Sequence, residues 1–265
     1  MAMQRTRYSG RTERLSRAAR APDAPPRPRP APPPELAARI LLLRDDLMVL
    51  DKPAGLPVHR GPRAGDSLED WLEPLRMGRR HVPQPAHRLD TDTAGCLVLG
   101  RTKPALAALG ALFAAGRAEK TYWAVVRGGP AEDAGTIEAP LRKVSSAARG
   151  WRMEVHPEGQ RAVTAWRVLG RGRGRMPGAP RSDPGPPGIT WLELRPQTGR
   201  THQLRVHCAA SGWPILGDAV YGGGEAGGLH LLARAIALPL DPPARAEAPP
   251  PAHMQAALAA CGWRG

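Results

Sequence analysis

Apolar residues fall in short runs along this chain, and the spacing inside each run predicts an element. From Ile40 to Asp51 apolar and polar positions alternate well enough for a strand, which Lys52-Pro53-Ala54-Gly55-Leu56-Pro57 ends. Cys96-Leu97-Val98-Leu99 is apolar without interruption, the pattern of a strand buried on both faces. Thr102 to Gly116 carries Leu106, Leu109, Leu112 and Phe113 at helical spacing. Thr121 to Val126 predicts a strand closed by Gly128-Gly129-Pro130, with Tyr122 and Trp123 on opposite faces. Val163 to Leu169 and Ile189 to Leu194 predict two further strands around Gly170 to Gly188, a Gly/Pro/Arg-rich stretch expected to be an inserted surface loop. Thr201 is a candidate N-cap for a helix that stops at Gly212, with Pro214 just beyond. No repeat is visible at solenoid periods, and helices and strands do not alternate regularly, so the expected class is α+β.

Charge changes the picture more than size does. The 265 residues hold 38 Lys+Arg against 24 Asp+Glu, a formal net charge of +14 that suits a polyanionic partner. Residues 1–34 carry eight arginines against Glu13 and Asp23, and positions 21–34 hold eight prolines. Such a segment has too little apolar surface to fold, so residues 1–37 are expected to form a disordered basic arm, either touching nucleic acid or only solubilising the chain. Residues 38–265 are then the folded domain. Apolar residues make up 42% of the chain but aromatics only 4%, so its core must be mostly Leu, Val and Ala. No apolar stretch approaches the roughly 20 residues of a membrane span, and the N-terminus lacks the apolar core of a signal peptide. Cys96, Cys208 and Cys261 form no Cys-x-x-Cys pair, which argues against a disulfide framework and a zinc ribbon. The expected location is the cytoplasm.

Three polar runs are candidates for chemistry. His87-Arg88-Leu89-Asp90-Thr91-Asp92-Thr93-Ala94-Gly95 precedes the buried strand, where a rigid element commonly delivers catalytic side chains. Asp90 beside Arg88 could act as an ionised nucleophile, although a turn with a capping aspartate and a surface arginine is the commoner arrangement. Thr198-Gly199-Arg200-Thr201-His202-Gln203-Leu204-Arg205-Val206-His207 places arginines across a predicted helix start, where free N–H groups attract anions, but equally reads as a basic surface helix. His202, His207 and Cys208 are not a metal set, because positions five apart on a helix are rotated by roughly 140°. Glu119-Lys120-Thr121-Tyr122-Trp123 joins an aromatic to a base, or is simply a half-buried strand.

Taken together and in order, these runs resemble the RluA family of RNA pseudouridine synthases. Leu47 to His59 is similar to the family's "vvnKPaGlpvH" opening, and His87-Arg88-Leu89-Asp90 with Thr93 and Gly95 to its HRLDxxTSG box. Lys120-Thr121-Tyr122 matches the KxY strand, and Gly199 to His207 the GRTHQLRVH box, followed by Pro214-Ile215-Leu216-Gly217-Asp218 and Tyr221-Gly222. The resemblance covers roughly residues 38–245, and His87 favours the RluA branch over the RsuA relatives, which typically have glycine there. Ala94 stands where serine is usual and Leu232 where histidine is usual, and the common His-Pro is absent around Leu240-Asp241-Pro242. No stretch before the match resembles the S4 RNA-binding domain of many relatives, so a catalytic-domain-only type is expected.

The resemblance implies an isomerase that converts uridines in structured RNA (transfer RNA, large-subunit ribosomal RNA or both) to pseudouridine as a monomer, with no metal or organic cofactor. It implies a central mixed, largely antiparallel sheet flanked by helices and loops, with the cleft across the sheet. Asp90 matches the catalytic aspartate. Tyr122 matches the aromatic that stacks on the flipped base and helps remove the C5 proton. Arg205 matches the basic residue paired with the aspartate, expected to hold it with a planar bidentate fork. Arg88 matches the arginine that fills the vacated space, and Arg200, Lys120, His202 and Lys52 are expected to contact RNA. A noncatalytic RNA-binding or RNA-chaperone module on the same fold would have no use for Asp90, Tyr122 and Arg205 together. A glycoside hydrolase would need two facing acids.

Overall fold

A computed structural model describes residues 36–60, 66–146, 150–172, 188–222 and 227–265. Three successive polar residues, Arg44-Asp45-Asp46, divide the run expected to be one strand. Three charges in a row break the alternation, and the chain turns there, with Arg44 N–H bonded to Leu47 O at 2.9 Å, and forms a hairpin of β1 (Ile40–Leu43) and β2 (Leu47–Lys52). Leu36 is buried and Ala37–Arg39 form a 3-10 turn, so the folded part takes in the last two residues assigned to the arm. The rest of that arm lies outside the described residues.

The short β3 (Gln84–Pro85) leads through the Asp90 loop to β4 (Ala94–Gly100), whose seven residues are all buried, as their apolar run predicts. The helix expected from Thr102 follows as α1 (Lys103–Ala114), with Thr102 Oγ1 accepting from Ala105 N–H at 3.2 Å. Next come β5 (Glu119–Arg127), β6 (Ala134–Glu138), β7 (Leu141–Ser146), β8 (Gly150–Val155), β9 (Val163–Gly172) and β10 (Ile189–Pro196). Gly170 to Gly172 therefore extend a strand rather than begin the inserted loop, and 173–187 lie outside the described residues. The chain continues with α2 (Gln203–Ala210), β11 (Leu231–Leu238), β12 (Ala244–Glu247) and α3 (Ala252–Ala260).

The main sheet runs β1-β2-β4-β11-β5-β10-β9-β6, with β12 on β11 and β3 on β4; β7 and β8 pair separately. Every ladder is antiparallel except β4 with β11. At that parallel contact Leu232 pairs with Ala94 and Ala233 with Gly95. A Cβ on Gly95 would lie 2.3 Å from Ala233 O, and its φ of +108° is one that side-chain-bearing residues avoid. Two of the departures from the family pattern, Ala94 and Leu232, are thus neighbours in the core.

Side chains alternate across the sheet, and each face is covered differently. On one face Leu47, Val49, Cys96, Val98, Leu232 and Ile236 pack with α1 and α3. On the other, Met48, Leu50, Leu97 and Leu99 pack beneath Leu68, Trp71, Leu72 and Leu75, while Ala124, Val126, Leu192 and Leu194 pack beneath α2 and Trp213. Tyr122 touches both of these clusters, and the cleft opens at their junction.

Candidate active site

The cleft encloses about 630 Å³ and is lined from the Asp90 loop, β5 and the start of α2. Alternation places Lys120 and Tyr122 on its floor, while Trp123 turns to the opposite face, edge-on to Trp191 at 4.7 Å with Arg234 over its ring. Burial raises the Tyr122 phenol, with the Asp90 charge adding to the effect, so it stays protonated at neutral pH. Burial lowers the Lys120 amine.

The Asp90 loop is pegged on every side. His87 stacks on Phe113 at 4.3 Å and accepts from Val98 N–H through Nε2 at 3.0 Å; burial drives it down to about 3, so it remains neutral. Leu89 is buried beneath the loop, leaving Arg88 exposed and Asp90 partly exposed at the cleft. Lys52 Nζ donates to Pro53 O, Leu56 O and Thr91 O at 2.8, 2.8 and 2.9 Å, and Gly55 N–H also reaches Thr91 O. Lys52 has no solvent-accessible surface. Burial pushes its amine down to about 8 against the opposing pull of Asp92, Asp90 and Asp51. Lys52 is therefore a clamp on the loop carrying Asp90, not the RNA contact expected from sequence.

The helix for which Thr201 is the expected N-cap starts at Gln203, with His202 at the cap position in a left-handed conformation, φ of 52°. The Gln203 side chain instead braces the preceding turn against the sheet: its Oε1 accepts from Arg200 N–H at 3.0 Å and Thr198 Oγ1 at 2.7 Å, and its Nε2 donates to Val163 O and Thr164 Oγ1. His207 bonds Thr164 Oγ1 at 2.9 Å and Ala139 O at 3.0 Å. The basic box thus divides: Gln203 and His207 moor α2 to the sheet, while Arg200, His202 and Arg205 line the cleft. Arg200 is exposed, with Nε on Arg161 O at 3.1 Å.

Arg205 does reach Asp90, with Nη1 3.9 Å from Oδ2. Its bidentate fork, expected on Asp90, instead grips Asp218, Nε to Oδ2 at 2.8 Å and Nη2 to Oδ1 at 2.7 Å. Asp218 is fully buried and also accepts from Val220 and Tyr221 N–H. Burial works against both charges, but their mutual hydrogen bonds prevail: Asp218 is held below, and Arg205 above, the ordinary value. Tyr221 lies 5.2 Å under the Arg205 guanidinium. Its hydroxyl accepts from Met153 N–H at 3.0 Å, leaving its proton for His202 Nδ1 at 2.9 Å. Burial lowers the His202 imidazole below its ordinary value, against the opposing pull of Asp90.

The RNA pseudouridylate synthase family profile matches residues 46–210. A protein of Zymomonas mobilis described as an uncharacterised RNA pseudouridine synthase is 42% identical over 190 residues, covering 71% of this chain and 80% of its own. The chain belongs to the RluA family of RNA pseudouridine synthases, isomerases that act on RNA. The large-subunit pseudouridine synthase D of the same organism is 35% identical, covering 74% of this chain and 60% of its own, and the rice mitochondrial RNA pseudouridine synthase 3 is 37% identical, with 42% of its length spanned. Among solved structures, human RNA pseudouridylate synthase domain containing 4 superposes with a TM-score of 0.68 at 27% identity, covering 85% of this chain and 94% of its own.

Within this synthase fold, Asp90, Tyr122, Arg205, Arg88, Arg200, Lys120 and His202 gather at one cleft, and Lys52 stands behind it. Sequence reading quoted Asp218 and Tyr221 as part of a motif but gave them no role, and both lie beyond the family match at 210. Among the described residues no cluster of three or more His, Cys, Asp or Glu is placed to hold a metal ion, and no helix is long and apolar enough to cross a membrane.

Proposed function

We propose that this chain isomerises specific uridines in structured RNA with Asp90 as the nucleophile. The reaction breaks the bond from uracil N1 to the sugar and joins C5 to the same sugar carbon; C5 gives up a proton and N1 gains one, so the formula is unchanged. The observation that carries this reading is the solitary carboxylate. Asp90 is the only acid lining the cleft among the described residues, surrounded by Arg88, Lys120, Arg200 and Arg205. A phosphate-binding groove would gain nothing from a carboxylate there, and a two-acid glycosidase would lack its second group.

The target uridine leaves its stack at a cost of a few kcal/mol. Tyr122 offers a face to receive it, a contact worth about 1–3 kcal/mol, and Arg88, exposed at the rim, is placed to fill the gap left in the RNA. Tyr122 acts by stacking; removing the C5 proton would call for a phenolate, which burial disfavours. Arg205 gives Asp90 a neighbouring cation, while Arg200 and Lys120 meet phosphates. Ribosomal RNA of the large subunit is the substrate class best supported, from the names of two relatives, with transfer RNA as the second. Three buried thiols, Cys96, Cys208 and Cys261, suit a reducing compartment such as the cytoplasm.

Asp90→Asn keeps the size of the side chain and removes the negative charge. The expected outcome is no pseudouridine in a tritium-release assay, with RNA affinity and thermal stability close to the parent; parental turnover would remove Asp90 from the role.

A further inference from the structure

The β7–β8 hairpin stands apart from the main sheet, and one of its faces meets α2. Met153 on that face packs with Val206 and Tyr221. Alternation puts Trp151 on the same face, and the register places Lys143 opposite Met153. The Trp151 indole stacks on His202 with ring centroids 5.1 Å apart and planes at 29°. Lys143 Nζ lies 4.9 Å from the indole centroid. Despite these two partners Trp151 remains 47% exposed.

Nothing in the core requires an aromatic at that position. The hairpin is already seated by Met153, which packs with Val206 of α2 and whose N–H donates to the Tyr221 hydroxyl. What the arrangement does provide is a large, exposed ring held in place beside a histidine of the cleft wall, with an exposed ammonium over it. An aromatic face accepts any base, and a cation beside it accepts the phosphate that the same nucleotide carries. The proximity to His202 decides which nucleotide: one adjoining the flipped uridine, since His202 and Asp90 line the same cleft.

We propose that Trp151 and Lys143 form a second nucleotide subsite, stacking an unpaired base next to the target uridine and holding its phosphate. The proposal rests on the RNA-isomerase reading above, and its test is chosen to stand apart from turnover. The full chain is titrated into a hairpin RNA with loop uridines and 2-aminopurine placed in turn at each remaining loop position. At one position the parent should quench the fluorescence on binding. Trp151→Ala should abolish that quench and weaken binding about 10-fold, within the range of one stacked base. Trp151→Phe should keep most of the affinity, whereas Trp151→Leu, which still covers His202 but has no ring, should behave like Trp151→Ala. Lys143→Met should lower the slope of log affinity against log salt by about one phosphate contact. With an unmodified large-subunit RNA transcript as substrate, the Trp151→Ala defect should fall mainly on KM. Parental binding and quenching by Trp151→Ala, or full recovery by Trp151→Leu, would overturn the proposal and leave Trp151 as a cover for His202. A parent that binds the hairpin but forms no pseudouridine would instead overturn the isomerase reading, and the subsite would stand.

Discussion

Arg205 faces two acids unequally, and the inequality defines its role. Asp218 takes the fork and so fixes the guanidinium, while Nη1 is left to reach Asp90 at 3.9 Å. A charge committed in this way cannot collapse onto Asp90 and block the carboxylate proposed to attack. Both members of the Arg205–Asp218 pair are buried, so removing one charge leaves the other uncompensated. Asp218→Asn is expected to lower unfolding free energy by about 3–5 kcal/mol, read from urea denaturation. A loss under 1 kcal/mol would mean that the backbone donors at Val220 and Tyr221, rather than Arg205, satisfy this side chain. Asp90, Tyr122 and Arg205 were legible in the sequence because each sits in a motif with its own spacing. The partner of Arg205 was not, since the pairing joins residues thirteen apart across a turn that periodicity does not describe. Lys52 misled for a related reason. A lysine at the end of a strand reads as a surface cation until three carbonyl oxygens are seen to converge on it.

At the scale of elements, Lys52 ties the end of β2 to the loop before β4. Its three bonds use all three protons of an ammonium, and the amine gives one up at about pH 8 rather than at 10.5. Activity should therefore fall on the alkaline side near pH 8 as the loop loses one anchor. Stability moves the other way. Between about 8 and 10.5 the folded chain has released a proton that the unfolded chain would still hold, so the penalty for burying this amine is relieved as pH rises. Parallel pH–rate profiles and thermal melts should show activity falling in this window without a drop in Tm arising from Lys52. Lys52→Met should cost roughly 100-fold in kcat/KM through misplacement of Asp90, with RNA affinity little changed. A variant weakened mainly in RNA affinity would restore the reading of Lys52 as an RNA contact. Elements with a single strong pattern, such as β4 and α1, were readable from sequence in place, although β4 runs from Ala94 to Gly100 around the four residues expected. Errors occurred where local detail overrode the pattern: the charges that split β1 from β2, and His202, whose left-handed backbone delays the start of α2 until Gln203.

For the whole molecule, charge is the property most visible without coordinates. Residues 1–34 supply +6 of the net +14. Deleting them should weaken RNA binding and flatten its salt dependence while the modified uridine stays the same, because phosphate contacts add affinity without reading sequence. Identical binding at every salt concentration would make the segment a tail without a role. The fold class was equally visible, as a mixture of strands and helices without βαβ rhythm. The order of strands was not, and it carries the largest consequence. Asp90 enters β4 and Tyr122 lies on β5, yet these strands are not neighbours: β11, drawn from residues 231–238, lies between them. The Gly95–Ala233 contact marks where that late strand slots in against β4. During synthesis the ribosome delivers both halves of the reaction centre well before the strand that joins them. The nascent chain therefore holds the Asp90 loop and the Tyr122 ring unjoined until residues 231–238 have emerged from the ribosome.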